Sequence, residues 1–273
     1  MTVKAESLWD LLDKDLWSLE LDFESSNKKR SKILISVFIV TRQRPELCQE
    51  AVRLLHEKAE NPESIEYLLG LDEDDPTLEQ MKDFVKQSCI SNISITTFKR
   101  KPWKNFHEYS NELCYKAVGE WIFCYTDSKQ MLTDHWDAVV NKTSKNSVIS
   151  PVIENHRGHR VNRDGVRKNT YCYTPIIPKW WIEELGFFSD TPHSDTWIHG
   201  VSEDCGMLVM EEGIKLYSRR KKDDHGDIED KVAKRIYQQR SEHKKSLTKH
   251  REKSHQRTVK KLHDILKRRR SKK

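Results

Sequence analysis

From Ile33 to Tyr125 the chain repeats one pattern. A short continuous apolar run is followed by a longer segment whose apolar residues recur every three or four positions. The first run, ILISVFIVT from Ile33 to Thr41, is β-branched and lacks alternation. That predicts a strand buried on both faces, as in a parallel sheet. Pro45 then opens a predicted helix, since a first-turn residue needs no N–H. Leu47, Ala51, Leu54 and Leu55 form its apolar stripe. IEYLLGLD predicts a second strand ending at Asp72, and the acidic turn EDDP leads into a helix around Leu78 to Val85. ISITTF reads as a third strand. NFHEYSNELCYKAV reads as a helix with Phe106, Tyr109, Leu113 and Ala117 on one side. WIFCY, Trp121 to Tyr125, is a fourth strand that stops on Thr126-Asp127-Ser128.

This β-α alternation predicts an α/β fold, Rossmann-like, with a mainly parallel central sheet flanked by helices. Ligands of such sheets sit beyond the carboxyl ends of the strands. Three strands end in TRQR, LDEDD and TDS, so charge and hydroxyl groups converge on that edge. Such convergence favours a site over three unrelated surface turns. After Asp137 the pattern changes. SVISPVI reads as a strand, HRGHRVNRDGVRKN as a polar loop or hairpin, TYCYTPIIP as a strand, KWWIEELGFF as a short helix and MLVMEEGIKLY as a further strand.

The two ends differ from this body. Leu8, Leu12, Leu16 and Leu19 follow Ser7 at helical spacing, predicting an amphipathic helix over 7–23 and then a polar linker, SSNKKRSK. The C-terminal stretch has no core-forming stripe until Val259, Leu262, Ile265 and Leu266. It reads as a long solvent-exposed helix or a disordered tail. The expected organisation is an N-terminal helix and linker over 1–30, a catalytic-type domain over 31–230 and a basic tail over 231–273.

Charge sharpens that division. The 273 residues carry a net +6. Residues 231–273 hold 18 Lys/Arg against 3 Asp/Glu, a net +15, which leaves −9 for residues 1–230. The basic character therefore belongs to the tail. A solvated helix is its plain reading; an anionic partner, nucleic acid or a membrane surface, is the sharper one. The six cysteines are scattered without a CxxC pair, against a zinc site or a disulfide framework and in favour of a reducing compartment. No signal peptide or membrane-spanning apolar run is evident, so the expected location is the cytoplasm and the sequons at Asn92 and Asn141 read as chance.

Taken in order, ILISVFIVTRQRPELCQEAV, LDEDDP and NELCYKAVGEWIFCYTDSKQMLTDHWD resemble a GT-A glycosyltransferase of the family 2-like group, over roughly residues 33–230. The resemblance implies a nucleotide-sugar donor, UDP-linked, whose sugar passes to a hydroxyl of a glycan or another acceptor with inversion at the anomeric carbon. It implies that Thr41, Arg42 and Arg44 line the nucleotide pocket and that Asp72 bonds the base or ribose, with Asp74 and Asp75 nearby. Asp127 takes the place of the metal-binding DxD-type motif for Mn²⁺ or Mg²⁺, and His225 stands where related enzymes bring a C-terminal histidine to the metal. For the general base the resemblance offers Asp195 and, in Glu203-Asp204, Asp204; Asp195 is preferred because Trp197 beside it suits a sugar face. Trp180 and Trp181 are further candidate platforms. The chain departs from the family in having one acid, Asp127, where members usually have two or three. The diphosphate then holds the metal together with Asp127 and His225, or activity is weakened or lost.

Plainer readings exist for each residue. Asp127 is a strand-end turn former, His225 a surface histidine, and Asp195 an N-cap for a helix starting at Thr196. Trp180 and Trp181 are core, and Arg42 and Arg44 are solvated. A degenerate, non-catalytic GT-A scaffold that binds an acidic partner through the tail is the alternative to an enzyme. A nucleotidyltransferase has less support, because no glycine-rich phosphate loop follows the first strand. Compact motifs, many lysines and the lack of an export signal give the chain a viral-like character.

Overall fold

A computed structural model describes residues 32–101, 107–155, 160–161, 167–168, 172–219 and 241–271. The predicted N-terminal helix and linker, His225 and residues 231–240 lie outside the described residues.

The apolar runs form the sheet. β1 (Ile35–Val40), β2 (Ile65–Asp72), β3 (Ile93–Phe98) and β4 (Trp121–Tyr125) alternate with α1 (Pro45–Glu57), α2 (Leu78–Gln87) and α3 (His107–Lys116). Then come β5 (Lys129–Met131), α4 (Trp136–Lys142), β6 (Val148–Ile153), β7 (Arg160–Val161), β8 (Arg167–Lys168), β9 (Ile176–Pro178), α5 (Lys179–Leu185), α6 (Ser194–Asp204), β10 (Leu208–Ser218) and α7 (Ser241–Arg270). Eight strands make one sheet in the order β3-β2-β1-β4-β9-β6-β10-β5. Parallel pairing joins β1 to β2 and β4, β2 to β3, and β6 to β10. β9 and β5 run antiparallel to their neighbours. β7 and β8 form a separate small hairpin.

Both faces of the sheet are covered, as the unalternating runs predict. Along β1, Ile35, Val37 and Ile39 join one core cluster while Phe38 points to the other. β4 does the same, with Trp121, Phe123 and Tyr125 on one face and Ile122 opposite. This is the period-2 alternation of strand side chains. Cys48, Ala51, Val52 and Leu55 of α1, Met81 and Phe84 of α2, and Trp136 and Val140 of α4 cover the first face. α3, α5, α6 and α7 cover the second.

Four elements depart from the sequence reading. The strand expected over TYCYTPIIP is confined to Ile176–Pro178. β5 and α4 were not foreseen. The C-terminal segment is neither a free helix nor a disordered tail over its described part. It is a 30-residue helix whose Leu262, Ile265 and Leu266 are buried with Trp197, Ile198 and Val201 of α6.

Gly119, just before β4, has a steric reason. A Cβ there would lie 2.6 Å from the backbone nitrogen of Ser36. The turn out of α3 presses directly against β1, and the Gly119 N–H donates to Ser36 Oγ at 2.7 Å. That close approach sets β4 beside β1.

Candidate functional site

The chain runs from β1 to β2 to β3 in one direction across the sheet and then returns to place β4 on the other side of β1. The carboxyl ends of β1 and β4 therefore flank a topological switch point, the place where sheets of this kind generally take their ligands. Thr41 ends β1 and Asp127 follows β4. Thr41 Oγ1 donates to Asp127 Oδ2 at 2.8 Å, a buried bond across the switch point. Arg44 Nη1 stands 3.5 Å from Asp127 Oδ1. Asp127 is 5% exposed, so its charge is held by these two partners and not by bulk water.

The loop between β1 and α1 is tightly held. Gln43 has φ 55°, a left-handed conformation that costs a non-glycine residue energy. Its N–H donates to Asp75 Oδ2 at 3.0 Å, while Asp75 Oδ1 accepts from the Thr77 N–H and hydroxyl at 2.9 and 2.8 Å. Asp75 is thus committed to bracing two loops. This twist turns Arg42 toward β2 and Arg44 toward β4. Arg42 Nη1 donates to Asp72 Oδ2 at 3.0 Å and to Asp74 Oδ1 at 2.7 Å. It holds the exposed Asp74 carboxyl below its usual range. Asp72 Oδ1 accepts from the Tyr109 hydroxyl at 2.5 Å. Burial first, and then this bond, pushes the Tyr109 phenol up to about 12, so it stays a donor.

Thr41, Arg42, Arg44, Asp72 and Asp127 therefore meet at one sheet edge. Sequence reasoning missed three neighbours. Tyr109 was read only as part of an apolar stripe, although it is the side chain that orients Asp72. Lys129 donates to Ser218 Oγ at 2.8 Å, and Arg219 grips Glu50, with Nη1 2.7 Å from Oε2. The Arg219 backbone N–H also donates to Ser128 O at 2.9 Å, which brings a guanidinium beside the end of β4. Its only sequence signal was its place just after the last strand.

Asp195 sits in the first turn of α6, half-buried, with Oδ1 accepting the Thr196 N–H at 2.7 Å. The residue at the N-cap position is His193, not Asp195. Burial, and secondarily the Asp195 charge, drives the Cys124 thiol of β4 well above its usual range; the same two causes push the Cys172 thiol up to about 12. Asp195 thus lies within electrostatic reach of β4. Asn111 fixes the loop leading to it. Its Oδ1 accepts from the Phe188 and Ser189 N–H groups at 2.8 and 3.1 Å, and its Nδ2 donates to Ser189 O at 2.8 Å.

Asp204 is not brought to this group. It ends α6, nine residues and about 13 Å of helix from Asp195, and pairs with His255 of α7 at 2.7 Å. The tryptophan expectation is corrected. Trp197 is 1% exposed and packs on Trp181 and Phe187, and Trp180 and Trp181 are buried beside it. These rings are core, because each lies on the inward face of its helix, and none is open to stack on a sugar.

Neither a family model nor a curated protein sequence matches this chain. Solved structures do. TarS of Staphylococcus aureus in complex with UDP-GlcNAc aligns with a TM-score of 0.55 at 12% identity, over 71% of this chain and 60% of that one. TarS with UDP aligns with a TM-score of 0.53 at 12% identity, over 68% and 60%. The mannosyltransferase PcManGT of Pyrobaculum calidifontis, in complex with GDP-Man and Mn²⁺, aligns with a TM-score of 0.53 at 11% identity, over 71% and 59%. The chain thus spans about 60% of the length of these structures. Its fold is that of the GT-A-type glycosyltransferases.

Proposed function

We propose that this GT-A fold binds a nucleotide sugar, UDP-linked by preference, at the β1/β4 edge and transfers the sugar to an acceptor hydroxyl. The observation that carries the reading is the buried Thr41–Asp127 bond across the switch point, flanked by the Arg42–Asp72 pair. A donor of this class presents a base and ribose with several hydrogen-bonding edges, and a diphosphate with two negative charges. Asp72, oriented by Tyr109 and Arg42, suits the first. Arg44 and Arg219 suit the second, since a guanidinium matches phosphate oxygens in a planar fork.

The fold class also points to a divalent cation. Among the described residues no three His, Cys, Asp or Glu side chains form a ready cage. Mg²⁺ and Mn²⁺ at phosphate-transfer sites are often held by one or two carboxylates plus substrate oxygens. Asp127 fits that smaller role, because Oδ2 is taken by Thr41 while Oδ1 has only the longer approach of Arg44. Asp127, with His225 from outside the described residues, would hold the ion. A divalent cation held there would supply charge neutralisation for the leaving diphosphate.

Asp195 is the proposed base. The acceptor O–H loses its proton to Asp195 as the oxygen attacks the anomeric carbon, and the bond from that carbon to the β-phosphate oxygen breaks. The electron pair leaves with the nucleoside diphosphate, and attack from the opposite side inverts the carbon. The single carboxylate at the end of β4 favours the second reading, a non-catalytic scaffold. The test is release of nucleoside diphosphate from a panel of UDP- and GDP-linked sugars with Mn²⁺. The expected result is release from one donor, falling about 10²-fold in Asp127→Asn. No release from any donor by folded protein favours the scaffold.

A further inference from the structure

The C-terminal helix uses its two faces for different purposes. Leu262, Ile265 and Leu266 are buried against the body. Polar pairs line the edge of the same seam: the His255 ring beside the Asp204 carboxylate, the His250 ring beside Asp190, and Arg268 with Glu184. Arg269 lies over the Trp180 ring at 4.8 Å. Together these contacts hold α7 on α5 and α6, and they fix which way the rest of the helix points.

Lys253, Lys260 and Lys267 follow one another at seven-residue intervals, about 10 Å of helix each. They lie on the side opposite the buried residues and are exposed, with Arg257 and Lys261 beside them. Among the described residues none of these five side chains makes an ion pair. Asp264 is the one acid within this ridge. Such a row sets up a positive potential along one rigid line, which a partner with a matching row of negative charge would complement.

We propose that this ridge is a binding surface for double-stranded nucleic acid, contacted through its phosphate backbone and independent of base sequence. The charge argues for a polyanion whose own charges repeat along a line. The residue types narrow it further. A helix that lies in a membrane surface needs exposed apolar side chains to insert. Here every large apolar residue from 250 to 271 belongs to the seam with the body or its margin, and none is exposed. Single-stranded nucleic acid is held largely by aromatic side chains on which bases stack, and residues 241–271 contain no Phe, Tyr or Trp. What remains is an array of point charges at a spacing of about three base pairs, suited to duplex phosphates.

The surface also has a place relative to the candidate site. His250 and Arg251, in the first half of α7, face Asp190 and His193, next to Asp195. A duplex on the ridge therefore runs toward the first turn of α6. The binding itself stands whether or not the catalytic reading does, because it needs no nucleotide sugar.

The test is fluorescence anisotropy of a labelled 20-base-pair duplex of mixed sequence, titrated with the full chain over a range of salt. The expected result is binding that is indifferent to sequence and weakens steeply with salt, with a slope near −4.5 for about five phosphate contacts. The triple variant Lys253→Glu, Lys260→Glu, Lys267→Glu should lose about tenfold or more in affinity at moderate salt while keeping its thermal midpoint. Three results overturn the proposal: no duplex binding, unchanged binding by a folded triple variant, or binding to the matching single strand or to phosphatidylserine vesicles at equal or higher affinity.

Discussion

Asp127 and Asp72 carry the account, and the partners of each decide what a substitution does. In Asp127→Asn the amide oxygen can still accept from Thr41, so the fold should survive. The negative charge facing Arg44 and any cation is lost. We expect a thermal midpoint close to wild type with nucleotide-sugar turnover reduced about 10²-fold, read by a melt and a product-release assay on the same preparation. Tyr109→Phe is subtler. It removes the 2.5 Å bond to Asp72 without removing the ring, so it should weaken nucleotide binding by roughly 1 kcal/mol, about fivefold, in a calorimetric titration. Protonation sets a further expectation. Burial lowers the pKa of His56, His107 and His193 below the usual histidine value of 6.5. The unfolded chain then takes up protons first as pH falls below about 6.5, so stability drops from there toward the lowered folded values. Melts between pH 7.5 and 5.5 should show a falling midpoint, and His56→Gln should flatten the curve. The place of Asp127 just after β4 was legible because an apolar run stops there. Its partner Thr41 lies 86 residues away, and no local pattern encodes such a bond. Trp197 was misjudged because it was read together with Asp195, whereas two positions along a helix turn a side chain well away from its neighbour's direction.

Elements with a long period were readable, and short ones were not. β1, β2 and β4 show enough consecutive apolar residues to declare themselves, β3 shows itself by β-branched residues and Ile93 alternating with Ile95, and Pro45 marks the start of α1. β5 has three residues and α4 seven, too few for a period to emerge. The C-terminal helix had a visible stripe in Val259, Leu262, Ile265 and Leu266. Its abundance of lysine and arginine hid that the stripe is occupied by the body of the protein. If the helix were free, Leu262→Ala would be neutral or slightly stabilising, because alanine has the higher helix propensity. Docked, with Leu262 fully buried, the substitution should cost about 2–5 kcal/mol, measured by urea unfolding. The turn before β4 makes a second expectation at this scale. Gly119→Ala drives a methyl into the β1 backbone and should destabilise by about 1–3 kcal/mol while loosening the β1/β4 edge. Impaired nucleotide binding is expected with it.

At the scale of the whole molecule, the fold was legible from the order of several weak motifs, none sufficient alone. No family model and no curated protein sequence matches, yet structures at 11–12% identity share the fold. Identity that low preserves the pattern of buried strands and polar strand ends while most individual residues change. The body is acidic and the C-terminal helix basic, and the structure joins them through a seam of apolar contacts edged by polar pairs. The proposed donor site and the proposed nucleic-acid ridge are therefore parts of one body. The central claim is that a nucleotide sugar binds at the β1/β4 edge. The most direct measurement is the thermal midpoint of the full chain with UDP, GDP, UDP-GlcNAc and GDP-mannose, with and without Mn²⁺, for wild type and Asp127→Asn. A ligand that binds only the folded state must raise the midpoint. The account predicts a Mn²⁺-dependent rise with one nucleotide class, lost in Asp127→Asn. No rise with any nucleotide at millimolar concentration, or an equal rise in the variant, would contradict it.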